Sequence, residues 1–165
     1  MPFLSFGLDS GVESLSGSIV LWRLLVERRG DDDRVERAER KALKLIGITF
    51  FLLAAFVAVE STLSLVNGER PETSMVGIVL TALSIVVMPI LALHKRAVAI
   101  AMESRALLAD SHQTFACVYL SAVVLAGLAL NALAGWWWAD PVAALGVVVF
   151  LVMEGRDAFE GEDDD

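Results

Sequence analysis

The stretch LKLIGITFFLLAAFVAVESTLSLV, residues 43–66, decides the fold class of this chain. Apolar residues fill most of it, and its two charged residues, Lys44 and Glu60, lie toward its two ends. An α-helix rises about 1.5 Å per residue, so a helix over this stretch exceeds the ~30 Å hydrocarbon core of a lipid bilayer. The sequence therefore predicts a membrane-spanning helix here.

Three more apolar stretches of similar character accompany this one, and residues 4–26 form a fifth, less apolar stretch. Hydrophobic residues make up 56% of the 165 residues and the mean hydropathy is +0.66, whereas soluble domains contain about 45–50% apolar residues. We therefore predict an all-α integral membrane protein, surrounded by lipid, with five transmembrane helices. They are expected over residues 4–26, 43–66, 75–93, 108–133 and 138–154 of one transmembrane domain, 1–159, which an acidic, disordered tail follows at 160–165.

The charges are clustered, and their distribution predicts the orientation in the membrane. Eight basic residues fall between Arg23 and Lys44, and the connection after the third stretch carries Lys95, Arg96 and Arg105. Basic loops stay cytoplasmic, so the N-terminus of this chain is expected outside and the C-terminus inside, with the cell membrane as the location. Because no basic face with interleaved aromatic residues is readable, we do not expect nucleic-acid binding.

Two acidic residues interrupt the first apolar stretch. Asp9 and Glu13 are four residues apart, so on a helix they share one face, with Cβ atoms about 5–6 Å apart. An ionisable side chain inside a membrane costs at least ~2.5–3.5 kcal/mol on insertion scales, and so it indicates a functional site by default. The spacing favours a pair of carboxylates that grips one cation. The alternative is that both lie in the solvated headgroup zone.

The fourth apolar stretch supplies polar residues that could complete such a site. Asp110, Gln113 and Cys117 share one helical face, at i, i+3 and i+7. If the first and fourth helices pack together, Asp9, Glu13, Gln113 and Cys117 could surround one metal ion. This mixture of ligands suits Zn²⁺ better than Mg²⁺, which prefers an octahedron of oxygens. The alternatives are an interhelical hydrogen-bonding role for Gln113 and an apolar packing role for Cys117.

Three segments resemble the cation diffusion facilitator, or cation efflux, family. LDSGVESLSG at residues 8–17 is similar to the family's second transmembrane helix, in which paired acidic or histidine ligands lie four residues apart. LADSHQTFAC at residues 108–117 resembles the start of its fifth helix. GWWWADPVAAL at residues 135–145 resembles the turn into its sixth helix and is the most specific of the three.

The resemblance implies a fold and a function. Family members have six transmembrane helices and usually a C-terminal cytoplasmic domain. The five helices here match helices 2–6, which implies a short variant without the first helix and without that domain. Members form homodimers that exchange Zn²⁺ or related divalent ions for protons. The chain is therefore expected to be a homodimeric secondary transporter of a divalent metal, with Zn²⁺ as the leading candidate, and to need no cofactor.

The candidate site departs from the family's pattern in its fifth helix. Alignment on Ala109-Asp110 places Gln113 and Cys117 where the family has His and Asp. The missing histidine is the group that usually titrates near neutral pH. A non-transporting relative that acts as a membrane partner or regulatory subunit is therefore the alternative function. The sequence contains no nucleophile–base pair, phosphate loop or HExxH motif, and we do not expect an enzyme.

Overall fold

The computed structural model describes residues 2–28, 32–68 and 75–160, with the side chains of the first helix described from Ser10 onward. The described residues confirm the prediction of an all-α protein. Residues 161–165 of the expected acidic tail lie outside them. The helices are α1 (Pro2–Glu27), α2 (Asp32–Asn67), α3 (Met75–Ala101), α4 (Arg105–Ala134) and α5 (Ala139–Glu160).

Three of these helices are long and apolar enough to cross a membrane, judged from the length and composition of the described residues. They are α2, α3 over Thr81–Ala101, and α4 over Arg105–Asn131. The expected crossings by α1 and α5 stay predictions.

Two helices extend well past the apolar stretches that predicted them. Helix α2 begins at Asp32 rather than at residue 43, and α3 continues through Pro89 to Ala101 rather than ending at residue 93. Hydropathy reports the part of a helix that suits lipid. Backbone hydrogen bonding also continues into neighbouring segments that carry charged residues, so these helices are longer than the apolar stretches.

Helix α2 is the centre of the bundle. Helices α1, α4 and α5 all pack against it, and Val20, Ala116 and Leu151 from these three helices join its buried cluster. The buried side chains of α2 recur every three or four residues and form one stripe along the helix. They include Ala38, Ala42, Ile46, Phe50, Leu53, Val57 and Ser61.

Helices α2 and α5 approach closely where glycines face each other. A Cβ atom added to Gly47 would lie 2.9 Å from Phe159 Cε2 and 3.3 Å from the carbonyl oxygen of Gly155. Small residues allow helix backbones to come this close in membrane proteins. The ring of Phe159 also packs on Phe51, with ring centroids 5.9 Å apart.

Helices α3 and α4 form an antiparallel hairpin with a very short connection. Residues 102–104 alone separate the two helices, and the Ser104 side chain caps α4 by accepting the Leu107 N–H. Such a short turn fixes the register, because residues equally far from it lie at the same level. Ala99 and Ala106 are almost equally far from the turn, and both are buried.

Glu39 of α2 ties the first turn of α4 to the rest of the bundle. Its carboxylate accepts the backbone N–H of Ala106 at 2.7 Å and the Ser104 hydroxyl at 3.1 Å. It also forms an ion pair with Arg23 of α1, which is only 4% exposed and pairs with Glu27 as well. The first N–H groups of a helix lack partners within that helix. Glu39 therefore supplies an acceptor that α4 cannot provide itself.

Candidate cation site

A buried ion-pair cluster lies where α1, α3 and α4 meet. Lys95 Nζ on α3 lies 2.6 Å from Glu13 Oε1 on α1, 2.9 Å from Asp110 Oδ2 on α4 and 2.9 Å from Thr114 Oγ1 on α4. The Asp110 side chain is 1% exposed, and those of Glu13 and Lys95 are each 16% exposed. Three oxygen atoms from two helices thus surround one cationic group.

Helices α1 and α4 pack together, as the candidate site requires. The Ser16 hydroxyl donates to Asp110 Oδ1 at 2.5 Å, and the Thr114 hydroxyl lies 2.9 Å from Glu13 Oε1. Glu13 lies about one turn before Ser16 on α1. Its partner Thr114 lies about one turn after Asp110, the partner of Ser16, on α4. The two helices are therefore antiparallel and in register along this contact.

The predicted ligands on α4 are buried but do not all point the same way. Gln113 is completely buried, and its Oε1 lies 3.1 Å from the Thr49 hydroxyl on α2. Cys117 is buried on the same stripe of α4 as Asp110. Asp9 belongs to α1, but its side chain lies outside the described residues. The set Asp9, Glu13, Gln113 and Cys117 therefore stays a prediction.

Two buried polar atoms at this site have no hydrogen-bond partner among the described residues. They are Glu13 Oε2 and Gln113 Nε2. Buried polar atoms nearly always have a hydrogen-bond partner, so these two atoms are unusual at a site that also contains the ion-pair cluster. The side chains that the structure describes contain no group of three or more His, Cys, Asp or Glu that could hold a metal ion.

Lys95 is the residue that the sequence pattern did not bring to this site. It follows the apolar stretch predicted at residues 75–93, and the sequence pattern assigns it to a cytoplasmic loop. Its position relative to Asp110 is the signal that could have found it. The two residues are almost equally far from the turn at 102–104, so a tight hairpin places them at the same level.

Another polar contact, which is only partly buried, lies away from this cluster. His112 points toward α5, where its Nδ1 lies 2.6 Å from Glu154 Oε2. This agrees with the helical geometry, since His112 lies about 160° around α4 from Asp110 at 100° per residue. The pair joins α4 to α5 and leaves the Glu13 side of α4 to the ion-pair cluster.

A family model described as the cation efflux transmembrane domain matches residues 3–160, which is nearly the whole chain. The segments 8–17, 108–117 and 135–145 all lie inside the matched range. No curated protein matches this chain.

Proposed function

The chain belongs to the cation efflux family of membrane cation transporters, and we propose that it is a secondary transporter of a divalent metal ion, with Zn²⁺ as the leading candidate. One observation carries the proposal. Ionisable side chains of α1 and α4 meet inside the bundle, where Glu13 and Asp110 line the contact. Acidic groups in such a position are expensive in a membrane and typical of an ion pathway.

The register of α1 and α4 supports Asp9, Glu13, Gln113 and Cys117 as the ligands. Glu13 lies at the level of residues 113 and 114 of α4. One further turn along each helix brings the backbone of residue 9 to the level of residue 117, since residues four apart follow one another along a helix face. The four positions therefore lie at two adjacent levels of the bundle.

The amide of Gln113 can offer an oxygen to a cation. Thr49 has one hydroxyl proton, and the Ile46 carbonyl accepts it at 2.7 Å. Thr49 is then better satisfied as an acceptor of the Gln113 NH₂ group than as a second donor to its oxygen. Oxygen and nitrogen of an amide exchange by a rotation of 180°, and the hydrogen-bond network decides between them. In this arrangement the buried atom without a described partner is the carbonyl oxygen, which is a suitable metal ligand.

The charge distribution supports the orientation that we propose. Eleven of the 13 basic residues lie within residues 23–44 and 95–105, which include the connections from α1 to α2 and from α3 to α4 and the helix ends beside them. Basic connections remain in the cytoplasm, so the C-terminus faces the cytoplasm and the chain starts outside. We also propose a homodimer in the cell membrane. Exchange for protons is part of the proposal, since carboxylate and thiol ligands bind a metal in their deprotonated forms.

Zinc uptake by proteoliposomes tests this function. The doubly substituted variant Asp9→Asn, Glu13→Gln removes the negative charges of the two proposed carboxylate ligands with little change in volume. Even outer-shell partners of metal ligands alter affinity by about 10–100-fold, so the flux of this variant is expected to fall at least about tenfold. Glu36→Gln removes an exposed carboxylate of α2 and is the matched control, with unchanged flux. Wild-type flux in the double variant would exclude the site.

The ion pair of Glu13 and Asp110 with Lys95 favours a second candidate function. An acidic pair that is already neutralised in part by a lysine is what a non-transporting relative would contain. Such a protein would act as a membrane partner or regulatory subunit. Calorimetry on the purified protein distinguishes the two functions. No heat of Zn²⁺ binding, together with co-purification of a larger member of the family, would favour the partner over the transporter.

A further inference from the structure

Lys95 is held much as a bound cation would be. Its ammonium group has three N–H donors and lies within 2.9 Å of three oxygens, from Glu13, Asp110 and Thr114. These oxygens belong to helices other than its own. By contrast, the exposed pair of Arg40 and Glu36 lies within a single helix, which is a geometry that contributes little.

The buried ion-pair cluster keeps a net negative charge with Lys95 in place. Two carboxylates and one ammonium leave a formal charge of −1, because Ser16 and Thr114, which complete the contacts, are neutral. The second oxygen of Glu13 is buried without a partner among the described residues. The ion-pair cluster therefore still favours positive charge, and a cation of higher charge has an oxygen at which to bind.

We propose that Lys95 is a tethered cation that the transported ion must displace from Glu13, and that this competition makes the site select divalent over monovalent ions. The inference rests on the proposed function, in which Glu13 is a metal ligand. A metal on the Glu13 carboxylate lies about 2 Å from its oxygen, while the ammonium lies 2.6 Å from the same group. Two cations this close repel strongly wherever water is scarce.

The charge of the incoming ion decides the outcome of the competition. A sodium or potassium ion carries the same charge as the ammonium that it replaces, so it gains no Coulomb energy from the exchange. The lysine is also attached to α3 and therefore has a high effective concentration at the carboxylates. A divalent ion doubles the charge in the Coulomb interaction with each carboxylate. Lys95 therefore excludes monovalent ions while it remains replaceable by divalent ones.

Metal binding by Lys95→Met distinguishes this role from a purely structural one. Methionine keeps much of the apolar length of the side chain and removes its charge. If Lys95 competes with the metal, Zn²⁺ binding measured by calorimetry in detergent tightens by about tenfold or more, which corresponds to about 1.4 kcal/mol for each factor of ten. Added Na⁺ then weakens Zn²⁺ binding in the variant and not in the wild type. A structural lysine would give weaker metal binding when removed.

Two further variants keep the test decisive. Lys41→Met removes an exposed lysine of α2 and is the control, with an unchanged Kd. If Lys95→Met does not fold, the comparison moves to Asp110→Asn with and without Lys95→Met, where the double variant has lost one charge of each sign. The double variant is then expected to bind Zn²⁺ more tightly than Asp110→Asn alone.

The possible results separate this inference from the proposed function. Zinc flux in the wild type, with equal or weaker Zn²⁺ binding after removal of Lys95, would overturn the role of Lys95 and leave the transporter standing. Absence of both flux and Zn²⁺ binding in every variant, the wild type included, would overturn the proposed function and this inference together.

Discussion

Replacement of Gly127 by alanine tests the packing of α4 against the start of α5. A Cβ atom at residue 127 would lie 2.4 Å from Asp140 Cβ, 2.9 Å from Asp140 Cα and 3.0 Å from Asp140 Cγ. Ordinary contacts of this kind begin near 3.4 Å, so the new methyl group is about 1 Å too close. The nearest atoms include backbone, which cannot rotate away. The two helices must therefore move apart.

The expected cost of Gly127→Ala follows from two opposing effects. Overpacking a well-packed contact costs about 1–3 kcal/mol, and a clash with backbone lies in the upper part of that range. Alanine is favoured over glycine inside a helix by about 0.8–1 kcal/mol. The net loss in the free energy of unfolding is therefore about 1–2 kcal/mol. For a chain of this size each kcal/mol lowers Tm by about 2–4 °C.

Thermal unfolding of the detergent-solubilised protein, followed by far-ultraviolet circular dichroism, measures this loss. Gly146→Ala is the matched control, because it lies in α5 and a Cβ atom there would have no heavy atom within 4 Å. This control gains helix propensity without a clash, and its Tm is expected to equal or exceed that of the wild type. A Tm for Gly127→Ala as high as that of Gly146→Ala would refute the close approach of α4 and Asp140.

Two further substitutions probe the polar contacts that hold the bundle together. Glu39→Ala leaves the buried Arg23 with one fewer partner, so the free energy of unfolding is expected to fall by an amount near the lower end of the ~3–5 kcal/mol for a broken buried pair. Glu36→Ala breaks an exposed pair and is expected to change it by no more than about 0.5 kcal/mol. Equal Tm values for the two variants would contradict the burial of the Glu39 contact. Thr49→Val removes the hydroxyl beside the buried Gln113 amide and is expected to cost about 1–3 kcal/mol in unfolding measurements, and a variant as stable as the wild type would show that this contact adds nothing.

The helices were predictable because long apolar stretches leave a chain few alternatives in lipid. A stretch such as 43–66 must satisfy its own backbone hydrogen bonds, and an α-helix does so within one segment. The helix ends were less predictable. Lys95 lies beyond the apolar stretch predicted at residues 75–93, yet it remains helical and turns into the bundle, because Glu13 and Asp110 offer it buried partners.

The contact of α1 with α4 was predictable in outline, and its details were not. Periodicity correctly indicates that Asp110, Gln113 and Cys117 lie near one another on α4. It does not indicate which neighbouring helix covers each part of that face. Helix α2 covers Gln113 through Thr49, while α1 covers Asp110. Assignments of this kind depend on how several helices are arranged around α4, which a single sequence pattern does not contain.

The cap that Glu39 provides for α4 has a consequence for the order in which the protein assembles. A ribosome completes Glu39 long before it reaches Ala106, whose N–H the carboxylate accepts. The acceptor has therefore been synthesised before α4, and it pairs with the exposed amide of the first turn of α4 when that helix docks on α2. Docking thus packs α4 against α2 and pairs the end of α4 in the same step.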